Sequence, residues 1–149
     1  MRAVVQRVSR AKVTVDGVVK GEIGRGLLLL LGISKNDTKV DADHILEKVI
    51  NLRIFDDYAG QMNLSLLEAD CGMLVVSQFT LYGDTRRGRR PSYIQAAAPE
   101  DAQGLYDHFV TRAAEKVNPL ATGQFQAMMD VELVNDGPVT IILDSEKTI

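Results

Sequence analysis

With 149 residues the chain fits one domain, and 46% hydrophobic and 25% charged residues give it the balance of a soluble globular protein rather than a disordered one. A lone cysteine, Cys71, excludes an internal disulfide, and with His44 and His108 the only histidines, four-cysteine and two-cysteine–two-histidine zinc sites are excluded as well. Lys and Arg total 17 and Asp and Glu 20, so the net charge of −3 argues weakly against a nucleic-acid binder.

The N-terminus reaches arginine again at Arg7 before an apolar stretch develops, which does not read as a secretory signal. The longest apolar run, 27–31, falls far short of a membrane span. A reduced, soluble, cytoplasmic protein without a membrane partner is expected. Arg2, Arg7, Arg10, Lys12, Lys20 and Arg25, together with Arg86, Arg87, Arg89 and Arg90, make up ten of the seventeen basic side chains. Two readings stand: scattered solvated arginines, or, if both segments face one way, a local positive field for phosphate.

In chain order, Val13 and Val15 alternate with polar residues before Asp16-Gly17, a two-residue hairpin signal, and a strand returns over 18–23. The run 27–31 has the pattern of a strand buried on both faces. Asp37 or Thr38 caps a helix through about Leu52, with Ala42, Ile45, Leu46 and Val49 on one face and His44 off it. Asp56 and Asp57 read as turn residues. A second buried strand is predicted over 73–79. Pro99, followed by Glu100 and Asp101, opens the clearest helix, with Leu105, Tyr106, Phe109, Ala113 and Val117 at helical spacing and His108 facing water. Strands over 125–134 and 139–143 follow, separated by an Asn135-Asp136-Gly137-Pro138 turn. These elements predict a single α+β domain over 1–149, with a largely antiparallel sheet or roll and two main helices.

No Ser-His-Asp or Cys-His arrangement, Walker loop or GxGxxG is present, and no metal site is suggested. An enzyme built this way lacks an obvious general base near neutral pH. Two segments stand out. Ser77-Gln78-Phe79-Thr80 ends an apolar strand in polar side chains, and polar groups are costly to bury unless each finds a partner. Strand ends also release backbone N–H groups able to stabilise an oxyanion. The second segment is Asn135-Asp136-Gly137-Pro138-Val139-Thr140, whose composition alone indicates an ordinary trans turn.

Both motifs, together with the opening Met1-Arg2-Ala3-Val4-Val5-Gln6-Arg7-Val8, the stretch Asn51-Leu52-Arg53-Ile54-Phe55 and Arg89-Arg90-Pro91-Ser92, make the chain resemble the D-aminoacyl-tRNA deacylase (D-tyrosyl-tRNA deacylase) family over nearly its whole length. The resemblance implies a homodimeric, cofactor-free tRNA-editing hydrolase that cleaves D-aminoacyl-tRNA. It implies a cis Gly137-Pro138 peptide reaching into the partner's pocket, floored by Ser77, Gln78, Phe79 and Thr80, as a gate against L-amino acids. Glycine passes such a gate, so glycyl-tRNA is an expected second substrate. The family chemistry is RNA-assisted, with backbone donors near Phe79 and Thr80; Thr80 as nucleophile is the alternative. Gln78 is expected to hold the adenosine or the ester, Arg7 to brace the Gly-Pro loop, and Met129 to line the pocket or the core. Arg86, Arg87, Arg89 and Arg90 are expected against tRNA phosphates.

Overall fold

Alternating inward side chains (Ala3, Val5, then Ala11, Val13 and Val15) hold β1 (Arg2–Val15) against the rest of the sheet. The computed structural model describes all residues 1–149. The Asp16-Gly17 turn, both residues at positive φ, leads into β2 (Val18–Ile23) and closes the predicted hairpin. After β3 (Gly26–Gly32), Thr38 caps α1 (Lys39–Asn51), and the Asp41 carboxylate accepts the Thr38 N–H at 2.8 Å. A small hairpin, β4 (Phe55–Asp56) and β5 (Met62–Leu64), and a one-turn helix, α2 (Leu66–Ala69), lead to β6 (Gly72–Ser77). A 3₁₀ turn (Phe79–Tyr82), α3 (Pro99–Ala114), β7 (Leu120–Thr122) and β8 (Asp130–Asp144) complete the chain.

The sheet runs β2-β1-β3-β6-β7, with β8 on the other edge of β1. Pairings of β1 with β2, β3 and β8 are antiparallel, but β3–β6 and β6–β7 are parallel. The sheet is therefore mixed rather than largely antiparallel. The cause is that α1 lies in one crossover and α3 in the next, each returning the chain in the same direction. The outer strands also approach each other: a Cβ on Gly21 would sit 2.2 Å from the Thr122 carbonyl oxygen, so the sheet rolls almost into a barrel. The helices number three with α2, one more than predicted.

Burial on two faces explains the leucine run. Leu27, Leu29 and Leu31 join Met73 and Val75 beneath α1 and α3, packing on Ile45, Val49, Tyr106 and Phe109. Leu28 faces the inside of the roll with Val8, Val13, Leu74 and Val76. His108 does not simply face water; its Nε2 lies 2.8 Å from Asp43 Oδ1, tying α3 to α1. Asp57 is a turn residue, accepting from Ala59 N–H, Gln61 N–H and Asn63 Nδ2.

Two strand boundaries differ from the sequence reading. β6 stops at Ser77, because Phe79 to Tyr82 winds into the 3₁₀ turn. The two C-terminal strands are one: residues 135–138 do not reverse the chain, since both flanks pair antiparallel with the same β1. The segment 125–129 precedes that strand and stays irregular, with Gln126 at φ 62°.

Buried Tyr106 donates its hydroxyl to the Val75 carbonyl at 3.0 Å, and burial, then the Asp107 charge, pushes its pKa from 10.0 up to about 12. Tyr106→Phe removes one of the two bonds to that carbonyl, which keeps the Gly123 N–H at 3.1 Å, and is expected to cost about 0.5–1.5 kcal/mol in chemical denaturation. With the folded-state pKa raised, the hydroxyl's contribution is complete below pH 10 and lost as pH climbs towards 12. Thermal melts from pH 9 upward should fall less steeply above pH 10 in the variant than in the unmodified protein.

Candidate active site

Where β6 ends, the chain leaves the ladder and places Ser77, Gln78 and Phe79 in the wall of a cavity of about 640 Å³. Gln78 anchors this corner by donating its N–H to the Leu31 carbonyl at 2.8 Å. The cavity is largely apolar, with Val76, Phe125, Met128 and Met129 facing Tyr93 and Ala97. Phe79 is 56% exposed and meets Tyr93 edge-on at 5.1 Å between ring centroids. Met129, just ahead of β8, lines this cavity and also packs with the core inside the roll.

Thr80 lies in the 3₁₀ turn, and its hydroxyl accepts a hydrogen bond from Gln78 Nε2. No histidine, lysine or carboxylate bonds to it. The N–H groups of Phe79 and Thr80 open the turn, where the intrahelical ladder has not begun. No group of three His, Cys, Asp or Glu side chains comes together to hold a metal ion.

The second motif forms an outward crest on β8. The β1–β8 register passes from Gln6–Thr140 to Val8–Asn135, so five steps of β8 span two of β1 and the surplus bulges out. Asn135 closes its neck: Oδ1 accepts the Val139 N–H at 2.9 Å, and Nδ2 donates to Thr140 Oγ1 at 3.1 Å. The Gly137–Pro138 peptide at the top is cis, and both residues are exposed. Gly137 has φ +144°, and a Cβ there would meet Val139 Cγ2 at 2.8 Å and Val139 N at 2.9 Å. Only glycine fits. Neither Gly137 nor Pro138 lines the Ser77–Phe79 cavity of its own chain.

Arg7 holds the crest from below. It is 8% exposed; Nε donates to the Asp136 carbonyl at 3.0 Å and Nη1 to the buried Ile54 carbonyl at 2.8 Å. The Asp56 and Asp136 carboxylates lie 3.4 and 3.6 Å from it and balance its charge. The Ile54 carbonyl and the role of Asn135 escaped the sequence reading; a backbone acceptor leaves no trace in residue type.

Four of the six N-terminal basic residues are paired or buried. Arg2 lies near Asp144, Arg7 is buried, and Arg10 and Lys12 share Glu132. Arg86 is held by Asp84 through bonds of 2.9 and 2.7 Å, and that pairing keeps the Asp84 carboxyl far below its usual range. Arg87, Arg89 and Arg90 stand exposed without ion pairs in the loop beyond. With Lys20 and Arg25 of the N-terminal segment, also exposed and unpaired, they carry positive charge that no carboxylate offsets.

The structure thus offers a substrate two features, a polar corner beside an apolar cavity and a main-chain crest on a braced bulge. The D-Tyr-tRNA(Tyr) deacylase family model matches residues 4–144, and the chain belongs to that family. It is similar to D-aminoacyl-tRNA deacylases of Thermosipho melanesiensis (57% identical, 99% of each chain) and Dehalococcoides mccartyi (59% identical, 97% of this chain and 95% of the relative). Among solved structures it resembles a c-Myc DNA unwinding element binding protein, with TM-score 0.92 and 42% identity over 97% of this chain and 98% of that one. The fold also matches a structure described as a "probable eukaryotic D-amino acid tRNA deacylase", with TM-score 0.83 and 18% identity over 95% and 97% of the two chains. No helix is long and apolar enough to cross a membrane.

Arg7→Ala leaves the Ile54 carbonyl buried and unpaired and frees the crest. The expected loss in urea denaturation is about 1.5–3 kcal/mol, the range for hydrogen bonds to a charged group. Arg7→Lys should recover only part of it, because one ammonium does not reproduce the planar fork between two carbonyls.

Proposed function

We propose that this protein hydrolyses the ester joining a D-amino acid to the 3′ end of tRNA and spares the L enantiomer. The observation that carries this reading is the crest: a glycine carbonyl at a position only glycine can occupy, clamped by Arg7 and Asn135, outside its own chain's cavity. In a homodimer such a crest enters the partner's cavity and faces the substrate Cα. A D and an L residue share every atom and differ in where hydrogen and side chain sit. An apolar pocket distinguishes small differences by only about 10–200-fold per methylene, whereas a fixed main-chain atom in the path of the L side chain imposes a clash. Glycine has no side chain to clash, so glycyl-tRNA is a second substrate.

In the chemical step, water attacks the ester carbonyl carbon, the bond to the ribose oxygen breaks, and that oxygen leaves as a hydroxyl after taking up a proton. The ribose hydroxyl adjacent to the ester positions or activates the water, which accounts for a site without a protein base. Backbone N–H groups of Phe79 and Thr80 stabilise the oxyanion; one such donor is typically worth about 10²–10³ in rate. Gln78 orients the ester or the adenosine, and Met129 lines the amino-acid pocket. Arg87, Arg89 and Arg90 meet the RNA backbone, with Arg86 at the edge of the loop.

A second reading, nucleic-acid binding without turnover, draws on the name of the 42%-identical relative and on the exposed arginine loop. The names of the 57–59%-identical relatives favour hydrolysis.

Side-by-side assays with purified protein should show deacylation of D-tyrosyl-tRNA and glycyl-tRNA while L-tyrosyl-tRNA persists. Binding without turnover would favour the second reading, and rapid L-ester cleavage would remove the gate. Thr80→Ala should keep most activity, and replacing the terminal 2′-hydroxyl of the tRNA by hydrogen should abolish it. Complete loss in a well-folded Thr80→Ala protein would instead make Thr80 the nucleophile.

A further inference from the structure

Across the 3₁₀ turn lies a second cavity of about 460 Å³, and its character is the opposite of the first. Its wall includes Arg2, Asn36, Tyr82, Asp84, Arg86 and Gln95, and Tyr82 is the one hydrophobic side chain among them. The two cavities share a partition. Ile33 faces the apolar one and Ser34 the polar one; Ala96 faces the apolar one and Gln95 the polar one; Phe79 and Tyr82 stand at opposite ends of the 3₁₀ turn. Ser34 and Ala96 pair in an isolated bridge that keeps this partition in place.

Two buried polar atoms at this cavity have no hydrogen-bond partner: Arg2 Nε and the Tyr82 hydroxyl. Tyr82 is 6% exposed, and the Arg2 guanidinium covers its ring at 4.6 Å. Burial, then the Asp37 and Asp144 charges, pushes the Tyr82 pKa well above the usual phenol value, so the hydroxyl keeps its proton. Both atoms are closed off from solvent, and Arg2 Nε faces the Asp144 carboxylate at 3.6 Å, so the groups open to a ligand are the exposed side chains of the wall. The side chains of Asn36 and Gln95 make no hydrogen bond within the fold.

We propose, building on the deacylase reading, that this cavity seats the nucleotide immediately 5′ to the terminal adenosine of the tRNA, a cytidine in the shared C-C-A end. A polymer whose last nucleoside lies at the Ser77–Phe79 corner reaches this cavity by crossing the 3₁₀ turn. That turn carries the wall about 6 Å from Phe79 to Tyr82, on the order of one nucleotide step. Single-stranded RNA is read through unstacked base edges, and amides such as Asn36 and Gln95 offer both donor and acceptor to a cytosine edge. Arg2 adds a positive charge to the same wall. Arg86, at the rim, leads to the exposed arginine loop, where the stem phosphates follow.

The test compares adenosine with the dinucleotide cytidylyl-(3′→5′)-adenosine as ligands of the full-length protein by calorimetry, a readout independent of turnover. The dinucleotide should bind about tenfold more tightly, the gain of one or two hydrogen bonds. The Asn36→Ala/Gln95→Ala double variant, with its melting temperature checked, should remove that advantage. Equal affinity of the two ligands for the unmodified protein, or an advantage that survives in the folded double variant, overturns the proposal. Failure to deacylate D-tyrosyl-tRNA in a parallel assay would count against the deacylase reading itself, so the two failures are told apart.

Discussion

One guanidinium fixes the geometry on which the site depends. Arg7 sits on β1, the strand that pairs with β2, β3 and β8, and from there it bonds the carbonyls of Ile54 and Asp136. A bulge on an edge strand would otherwise be free to flex, because its surplus residues have no ladder partner. Here the bulge is held at its neck by Asn135 and from beneath by a planar fork that reaches two separate segments. The charge is nearly buried, and its cost is offset by two carbonyl acceptors and two nearby carboxylates. Main-chain atoms at the top of the bulge are thereby positioned by side chains beneath and beside it.

The division of labour between the two cavities follows from the same fold. The mixed sheet ends β6 beside the crossover into α3, and the chain turns there through one 3₁₀ turn with an apolar hollow on one side and a polar one on the other. In the proposed reading an amino-acid side chain enters the first and a ribonucleotide the second. The rate, in that reading, comes from placement and from backbone dipoles, which cost no reorganisation as charge develops.

Much of this architecture could be read from residue pattern. The Asp16-Gly17 hairpin, the capped α1 and the Pro99 helix lie where their local signals put them, because each rests on short-range chemistry. The apolar run 27–31 announced a strand buried on both faces, but its parallel pairing with β6 was missed; pairing direction depends on crossovers that periodicity does not encode. β7, three half-buried residues, was too short to show a period. The 135–138 segment looked like a turn because Asn, Asp, Gly and Pro serve bulges and turns alike, and only the shared partner β1 distinguishes them. At the site, Ser77, Gln78, Phe79 and Met129 proved to share a cavity, while Gly137 and Pro138 stand apart from it. The polar cavity had no sequence signal, since its lining comes from five separated stretches of chain.

The most direct measurement is a crystal structure of the assembled protein bound to a non-hydrolysable D-aminoacyl-adenosine analogue. The account requires the Gly137 carbonyl of one protomer to lie in van der Waals contact with the substrate Cα bound at Ser77–Thr80 of the other, on the side where an L side chain would project. A substrate bound with both crests turned away into solvent would contradict it.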